Sequence, residues 1–294
     1  MIKKCVIAAA GRGTRFLPVV KSYPKELVPI LSKPNIQYLI EEAIGAGITE
    51  IAIVHRQGED SLKKYFSPDP DLEKYLTENN KLEYLDSLKN IWLKAKITFI
   101  EQLPNLPYGT GSPLLTAKEF VGLEPFIYMY GDDLTVEPIA GQFLTKMIQT
   151  FSQYQADEVI AVKDVGSIEI GHYGSAKYMD DPKYPNRISA MLEKLPANLA
   201  PSTMAQWGRF VVTSKVFLLL ETQGLSRDGE LWFTDASNTL AKQGVVLTQA
   251  LGKDEDWLTT GDPLRWIQAN ITLALRNPNY QSDLTKFLKN LKEN

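Results

Sequence analysis

Apolar residues cluster in short runs along the chain, and between the runs they recur every third or fourth position. Lys4 to Ala10, Glu50 to Val54, Ile97 to Glu101, Pro125 to Tyr130, Val159 to Val165, Arg209 to Thr213 and Val245 to Ala250 read as strands. The helical period predicts helices over Asn35 to Ala46, Ser61 to Tyr65, Pro113 to Phe120, Ala140 to Tyr154, Phe233 to Gln243 and Pro263 to Leu275. Strands that alternate with helices predict an α/β fold, a mainly parallel sheet covered on both faces. Ligands on such sheets bind at the carboxyl ends of strands, where Gly11 and Asp132 both fall.

Two stretches depart from the alternation. From Phe66 to Ala95 the chain is polar, with Leu72, Tyr75, Leu76, Leu82 and Leu85 at helical spacing, which predicts an inserted pair of helices. After Asn277 the basic amphipathic pattern Leu-Thr-Lys-Phe-Leu-Lys-Asn-Leu-Lys predicts a terminal helix, either solvated or in contact with another copy.

The 294 residues carry 44% hydrophobic side chains, enough to bury a large core, and a formal net charge of -3. With no basic field, nucleic acid is not an expected partner, and any phosphate site must be local. The single Cys5 excludes an internal disulfide, and without a Cys/His cluster no structural zinc site is expected. The apolar run near Met1 spans only about six residues before Gly-Arg-Gly-Thr-Arg, too short for a signal peptide, and no stretch reaches the ~18 apolar residues of a membrane span. A soluble cytoplasmic protein without membrane contact is the expectation.

The first strand empties into the loop Gly11-Arg12-Gly13-Thr14-Arg15, and Pro24-Lys25-Glu26 follows. This is neither GxxxxGK[ST] nor GxGxxG, so kinase and dehydrogenase readings lose support. Glycines let backbone N–H groups approach phosphate, and Arg15 and Lys25 add mobile positive charge. Taken alone, the loop reads equally well as a strand-to-helix turn with surface arginines.

Read whole, Ala8 to Leu27 resembles the signature of the sugar-phosphate nucleotidyltransferases: a Gly-x-Gly-Thr-Arg loop, a Leu-Pro, and Pro-Lys-Glu about ten residues on. The stretch Lys33 to Val54 and the insertion from Phe66 are similar to the bacterial UTP–glucose-1-phosphate uridylyltransferases. The resemblance runs from about Ile2 to about Leu275. It implies a Rossmann-like three-layer αβα fold with a mixed, mainly parallel sheet, in one domain over 1–294. A nucleotide-binding half (about 1–120, with the helical insertion at 66–95) would precede a metal- and sugar-binding half (about 121–262) and C-terminal helices (about 263–294).

Carried over position by position, the resemblance places Ala9, Ala10, Gly11 and Gly13 against the nucleotide, and Arg15 and Lys25 on its triphosphate. Glu26 would face the base and ribose, Gln102 would read the uracil edge, and Gly109 and Thr110 belong to a second glycine loop. Asp132 matches a magnesium aspartate, and Asp133 could act on the ion's waters. Tyr173, Gly174, Glu193 and Gly208 would surround the hexose, with Gly208 leaving room for it, and Lys194 would hold the sugar phosphate. Glu230, Thr234 and Asp235 match a segment near the sugar end. The implied reaction joins UTP and glucose 1-phosphate into UDP-glucose and pyrophosphate with Mg2+ as cofactor, in a homo-oligomer (dimer or tetramer).

Four places depart from the pattern: Ser112-Pro113 where His-Ala is usual, Leu195 after Glu193-Lys194, Trp232 in place of glutamine, and Thr259 in place of an aspartate that assists the metal. Asp262 or Asp256 could compensate for the last. These departures keep two alternatives open: another nucleotide or sugar, or a weakened homologue that binds nucleotide-sugar to regulate a partner. His55 and His172 read as structural, since this chemistry does not need a histidine.

Overall fold

In the computed structural model, which describes residues 2–89, 94–226 and 228–293, the first apolar run is a central strand. Along β1 (Lys4–Ala9), Cys5, Ile7 and Ala9 enter one core cluster while Val6 enters the other, so both faces are buried. The remaining strands are β2 (Pro29–Ile30), β3 (Lys33–Pro34), β4 (Glu50–His55), β5 (Lys96–Glu101), β6 (Phe126–Tyr130), β7 (Asp133–Val136), β8 (Glu158–Asp164), β9 (Gly174–Tyr178), β10 (Ile188–Glu193), β11 (Met204–Val212), β12 (Val246–Ala250) and β13 (Asp256–Thr259). The main sheet runs β10-β9-β11-β6-β1-β4-β5, with β8 beside β11 and β12 beyond it. Pairings among β5, β4, β1 and β6 are parallel, as is β8 with β12, whereas β11 is antiparallel to β6, β8 and β9. The sheet is thus mixed and mainly parallel, as the resemblance implies.

Helices α1 (Asn35–Gly45), α2 (Ser61–Tyr65), α3 (Pro70–Glu78), α4 (Leu82–Lys89), α5 (Gly111–Thr116), α6 (Lys118–Val121), α7 (Gln142–Tyr154), α8 (Gly166–Glu169), α9 (Lys215–Thr222), α10 (Phe233–Gln243), α11 (Pro263–Arg276) and α12 (Pro278–Glu293) complete the fold. Ile36, Leu39 and Ile40 of α1 with Phe143, Leu144 and Met147 of α7 cover one face of the sheet. Leu114, Val216, Phe217, Leu220, Phe233 and Leu240 from α5, α9 and α10 cover the other. The result is three layers.

The inserted helices are α3 and α4. The Asp69 side chain accepts a hydrogen bond from Leu72 N at 3.0 Å and starts α3 as an N-cap. Leu76 and Leu85 point inward and Leu72, Tyr75 and Leu82 stay exposed; residues 90–93 of the expected insertion lie outside the described residues. The run expected as one helix from Pro113 to Phe120 is two, α5 and α6, meeting at Ala117. The strand expected from Arg209 begins at Met204, because Gln206 and Gly208 interrupt its apolar pattern. Strands β2, β3, β7, β9, β10 and β13 and helices α8 and α9 lie outside the expected elements.

Candidate active site

Three segments meet at the carboxyl end of β6. The turn after it passes through Gly131, where an added Cβ would stand 2.5 Å from the Ala8 carbonyl oxygen, so only glycine lets β6 and β1 end this close. Asn35 Nδ2 donates to the Gly131 carbonyl at 2.6 Å, and the Asp132 carbonyl accepts from Thr260 N (2.7 Å) and Thr260 Oγ1 (2.9 Å). These bonds aim the Asp132 side chain at Lys25, whose Nζ lies 2.5 Å from Oδ2. Burial pushes the Asp132 carboxyl up, but Lys25 outweighs it and holds the group below the usual range, ionised. Burial likewise works against the Lys25 ammonium, and Asp132 with Glu26 outweighs it and raises its pKa. Arg15 is exposed in the loop above and adds to the field on Asp132.

Asp133 does not take the role on the ion's waters expected from its place next to Asp132. It is buried, accepts from Gly208 N and Trp257 Nε1, both at 2.8 Å, and burial beside Asp132 pushes its carboxyl up. The space at Gly208 is not open to a sugar: an added Cβ would stand 2.5 Å from Tyr130 Cβ and 2.6 Å from Asp133 Oδ2. Glycine is needed there so that Asp133 can reach across and orient Trp257. Beneath this, Arg209 is fully buried and holds Glu42 through Nε at 2.9 Å and Nη2 at 2.7 Å, with a further bond to the Asp133 carbonyl at 2.9 Å. That pair ties α1 to β7 and β11, and loss of one partner of such a buried pair costs ~3–5 kcal/mol.

A cavity of about 630 Å³ opens beside the glycine loop, lined by Ala10, Arg12, Arg56, Gly58, Glu59, Gln102 and Tyr108 among others. The Gln102 Oε1 is buried with no hydrogen-bond partner among the described residues, although its backbone N–H donates to the His55 carbonyl at 2.8 Å. A buried amide oxygen left this way is one a ligand can satisfy. Glu26 is 1% exposed, neither carboxylate oxygen meets a hydrogen-bond partner among the described residues, and burial raises its pKa to about 8. Ala9 is buried in β1, and the Lys25 side chain runs along Gly11 and Gly13, the latter at φ 60°. Gly109 turns at φ 132° because an added Cβ would stand 2.4 Å from the Leu231 carbonyl oxygen. Thr110 Oγ1 accepts from Phe233 N at 3.0 Å, and so joins the second glycine loop to the start of α10. Ser112 is fully buried, donating to the Pro107 carbonyl where the pattern has histidine.

A second cavity, about 330 Å³, holds Asp132, Tyr173, Gly174, Glu193, Lys194, Trp232 and Thr259 in its walls, with His172 at its edge. The structure therefore brings together most residues expected around the sugar. Tyr173 packs edge-on against Trp257 at 5.2 Å. Gly174 leaves room for Glu193, whose Oε1 would lie 3.1 Å from an added Cβ and accepts from Thr234 Oγ1 at 3.0 Å. Lys194 adopts φ 47°, its N–H bonded to the Tyr173 carbonyl at 3.1 Å, so the extra Leu195 leaves it on the wall of the pocket. His55 is buried, its Nδ1 2.9 Å from the Arg56 carbonyl. Sequence reasoning missed Arg12, Arg56 and Tyr108 at the first cavity, and Gln206 and Trp257 at the second. Only the position of Arg12 within the glycine loop could have flagged one of them.

Thr259 pairs with Asp133 across β13 and β7, and its Oγ1 and Asp132 Oδ2 lie 3.5 and 3.1 Å from the position of a Cβ on Gly261. The hydroxyl and the Asp132 carboxylate therefore lie within about 6.6 Å of each other on the wall of the same cavity. Neither expected substitute reaches it: Asp256 pairs with Lys163 at 2.6 Å, and Asp262 caps α11 by accepting from Arg265 N at 3.0 Å. Among the described residues no group of three or more His, Cys, Asp or Glu side chains is arranged to hold a metal ion. One ionised carboxylate and one hydroxyl suit only a magnesium ion whose other ligands are phosphate and water. Among the described residues no helix is long and apolar enough to cross a membrane.

A family model described as nucleotidyl transferase matches residues 4–275. The UTP–glucose-1-phosphate uridylyltransferase of Bacillus subtilis is 34% identical over 293 residues, covering 99% of this chain and 97% of its own. Among solved structures, a UDP-glucose pyrophosphorylase from Acinetobacter baumannii superposes with a TM-score of 0.88 at 29% identity, covering 99% of this chain and all of its own. A UDP-glucose pyrophosphorylase in complex with UDP-glucose gives 0.82 at 32% identity, over 94% of this chain and all of that one. With the motifs, the sheet and both cavities in agreement, the chain belongs to the nucleotidyl transferase family, among its UTP–glucose-1-phosphate uridylyltransferases.

Proposed function

We propose that the protein transfers the uridylyl group of UTP to glucose 1-phosphate, forming UDP-glucose and releasing pyrophosphate. The observation that carries this reading is the pair Lys25–Asp132, 2.5 Å apart at the carboxyl end of the sheet. Lys25 runs under the glycine loop on the nucleotide side, and Asp132 opens into the cavity that holds Glu193 and Lys194.

A phosphate oxygen of glucose 1-phosphate, already ionised at neutral pH, attacks the α-phosphorus of UTP in line. The bond from that phosphorus to the bridging oxygen breaks, and pyrophosphate leaves with its electron pair. No general base is needed, so the residues act by positioning and by field. Ala9, Ala10, Gly11 and Gly13 bring backbone against the nucleotide, Gln102 reads the uracil edge with Gly109 and Thr110 framing it, and Glu26 lies on the base and ribose side. Lys25 and Lys194 draw the two phosphates together, Arg15 steadies the departing pyrophosphate, and Tyr173, Gly174 and Glu193 hold the hexose. Asp132, with the Thr259 hydroxyl beside it, would hold magnesium, which when bound neutralises phosphate charge.

The reading extends to one domain whose halves meet at this site, a cytoplasmic location, and self-association through the exposed Tyr280, Phe287 and Leu291 of α12. It is tested by pyrophosphate release with UTP, dTTP, CTP, ATP and GTP against several sugar 1-phosphates. UTP with glucose 1-phosphate should be the best pair, and Asp132→Asn should lower its rate by ~10²–10³ with the fold intact. A better rate with another pair would refute the substrate assignment. No release with any pair would favour a regulatory binder.

A further inference from the structure

The sugar-side cavity contains a buried amide whose oxygen meets no hydrogen-bond partner among the described residues. Gln206 is 8% exposed and lines the cavity beside Glu193 and Thr234. Its Nε2 lies 3.4 Å from Thr234 Oγ1, and that hydroxyl donates to Glu193 Oε1 at 3.0 Å. A hydroxyl has one proton; Thr234 directs it to Glu193 and can only accept from Gln206. This orients the amide, with NH2 toward Thr234, and Oε1 meets no hydrogen-bond partner among the described residues. The backbone supports the placement. Gln206 faces Val162 and Phe210 faces Ile160, so four steps along β11 match two along β8, a bulge that begins at Gln206.

We propose that Gln206 accepts a hydrogen bond from a hexose hydroxyl and so helps to decide which sugar 1-phosphates are used. The inference rests on the proposed uridylyl transfer, and on the sugar occupying this cavity. Glu193 and Gln206, joined through Thr234, then form a polar edge that a sugar lacking the matching hydroxyl leaves unsatisfied, which makes a site selective.

The test compares wild type, Gln206→Met and Gln206→Glu on glucose 1-phosphate and its 2-, 3-, 4- and 6-deoxy analogues. Gln206→Met should raise KM for glucose 1-phosphate about tenfold with KM for UTP unchanged. It should also abolish the preference of wild type for glucose 1-phosphate over one deoxy analogue. Gln206→Glu, which keeps an acceptor, should retain that preference. The melting temperature of Gln206→Met should not fall, because a buried unsatisfied oxygen is removed. A Gln206→Met that melts earlier or fails to fold, with Gln206→Glu no more selective than a random apolar change, would show a structural role and overturn the inference. So would an active Gln206→Met with the deoxy profile of wild type. Wild type inactive on every sugar 1-phosphate would overturn the proposed function itself.

Discussion

Thr259→Asp places a second carboxylate beside Asp132, and its consequence can be worked from the geometry. Thr259 Oγ1 and Asp132 Oδ2 lie 3.5 and 3.1 Å from the position of a Cβ on Gly261, so they are no more than about 6.6 Å apart, and the new carboxylate would stand roughly 6 Å from Asp132. Two like charges at that distance repel by about 3 kcal/mol at an effective dielectric of ~20. Lys25, 2.5 Å from Asp132, relieves part of this. A net loss of ~1–2 kcal/mol is expected, a melting temperature roughly 2–5 °C lower in metal-free buffer. Magnesium reverses the sign, because a divalent cation between two carboxylates is attracted by both. The half-saturating magnesium concentration, read from the rise in melting temperature across a titration, should fall about tenfold. The assay is thermal unfolding of variant and wild type across a magnesium series. Identical melting temperatures and identical magnesium curves would refute the placement of Thr259 next to Asp132.

Two further predictions follow from buried groups. Gln102→Leu removes the amide whose buried Oε1 has no hydrogen-bond partner among the described residues, at the nucleotide cavity; KM for UTP should rise at least tenfold and the preference for UTP over CTP should narrow, and unchanged preference in initial rates would remove Gln102 from the base site. Glu158 is fully buried, bonded to Ser237 at 3.0 Å, and burial raises its carboxyl pKa to about 8. Its folded state holds the proton longer than the unfolded state, so its stability contribution is complete below the unfolded pKa and is lost as pH rises through about 8. Glu158→Gln keeps the shape without the titration, and its melting temperature should fall less than that of wild type between about pH 6 and pH 9. Parallel pH profiles in the two proteins would contradict this.

How far the sequence speaks for itself differs between the two halves of the chain. Strands β1, β4 and β6 were legible because each is an apolar run buried on the sheet, and β5, half-buried at the end of the sheet, because Ile97, Phe99 and Ile100 keep it apolar; the glycine loop with Pro24-Lys25-Glu26 carries its chemistry within two dozen positions. Strand β13 is four residues long with Asp256 and Thr259 at its ends, and it exists because it pairs with β7, more than a hundred positions away. Local pattern cannot announce such a strand. Separations of 107 and 75 positions likewise hide the contact of Lys25 with Asp132 and that of Gly208 with Asp133. Gly208 shows the hazard most plainly: its type was read for a ligand, while the neighbour that requires it is a side chain of the protein. Gln206 was silent in the sequence because one glutamine in a strand has no signature until its partners are in place.

The central claim, transfer of the uridylyl group to a sugar phosphate, is tested most directly by oxygen labelling. Glucose 1-phosphate carrying 18O in its non-bridging phosphate oxygens is incubated with unlabelled UTP, magnesium and the protein, and both products are weighed by mass spectrometry. Attack by the sugar phosphate on the α-phosphorus predicts UDP-glucose that retains every label and pyrophosphate that contains none. Label in the pyrophosphate, or no UDP-glucose at all, would contradict it.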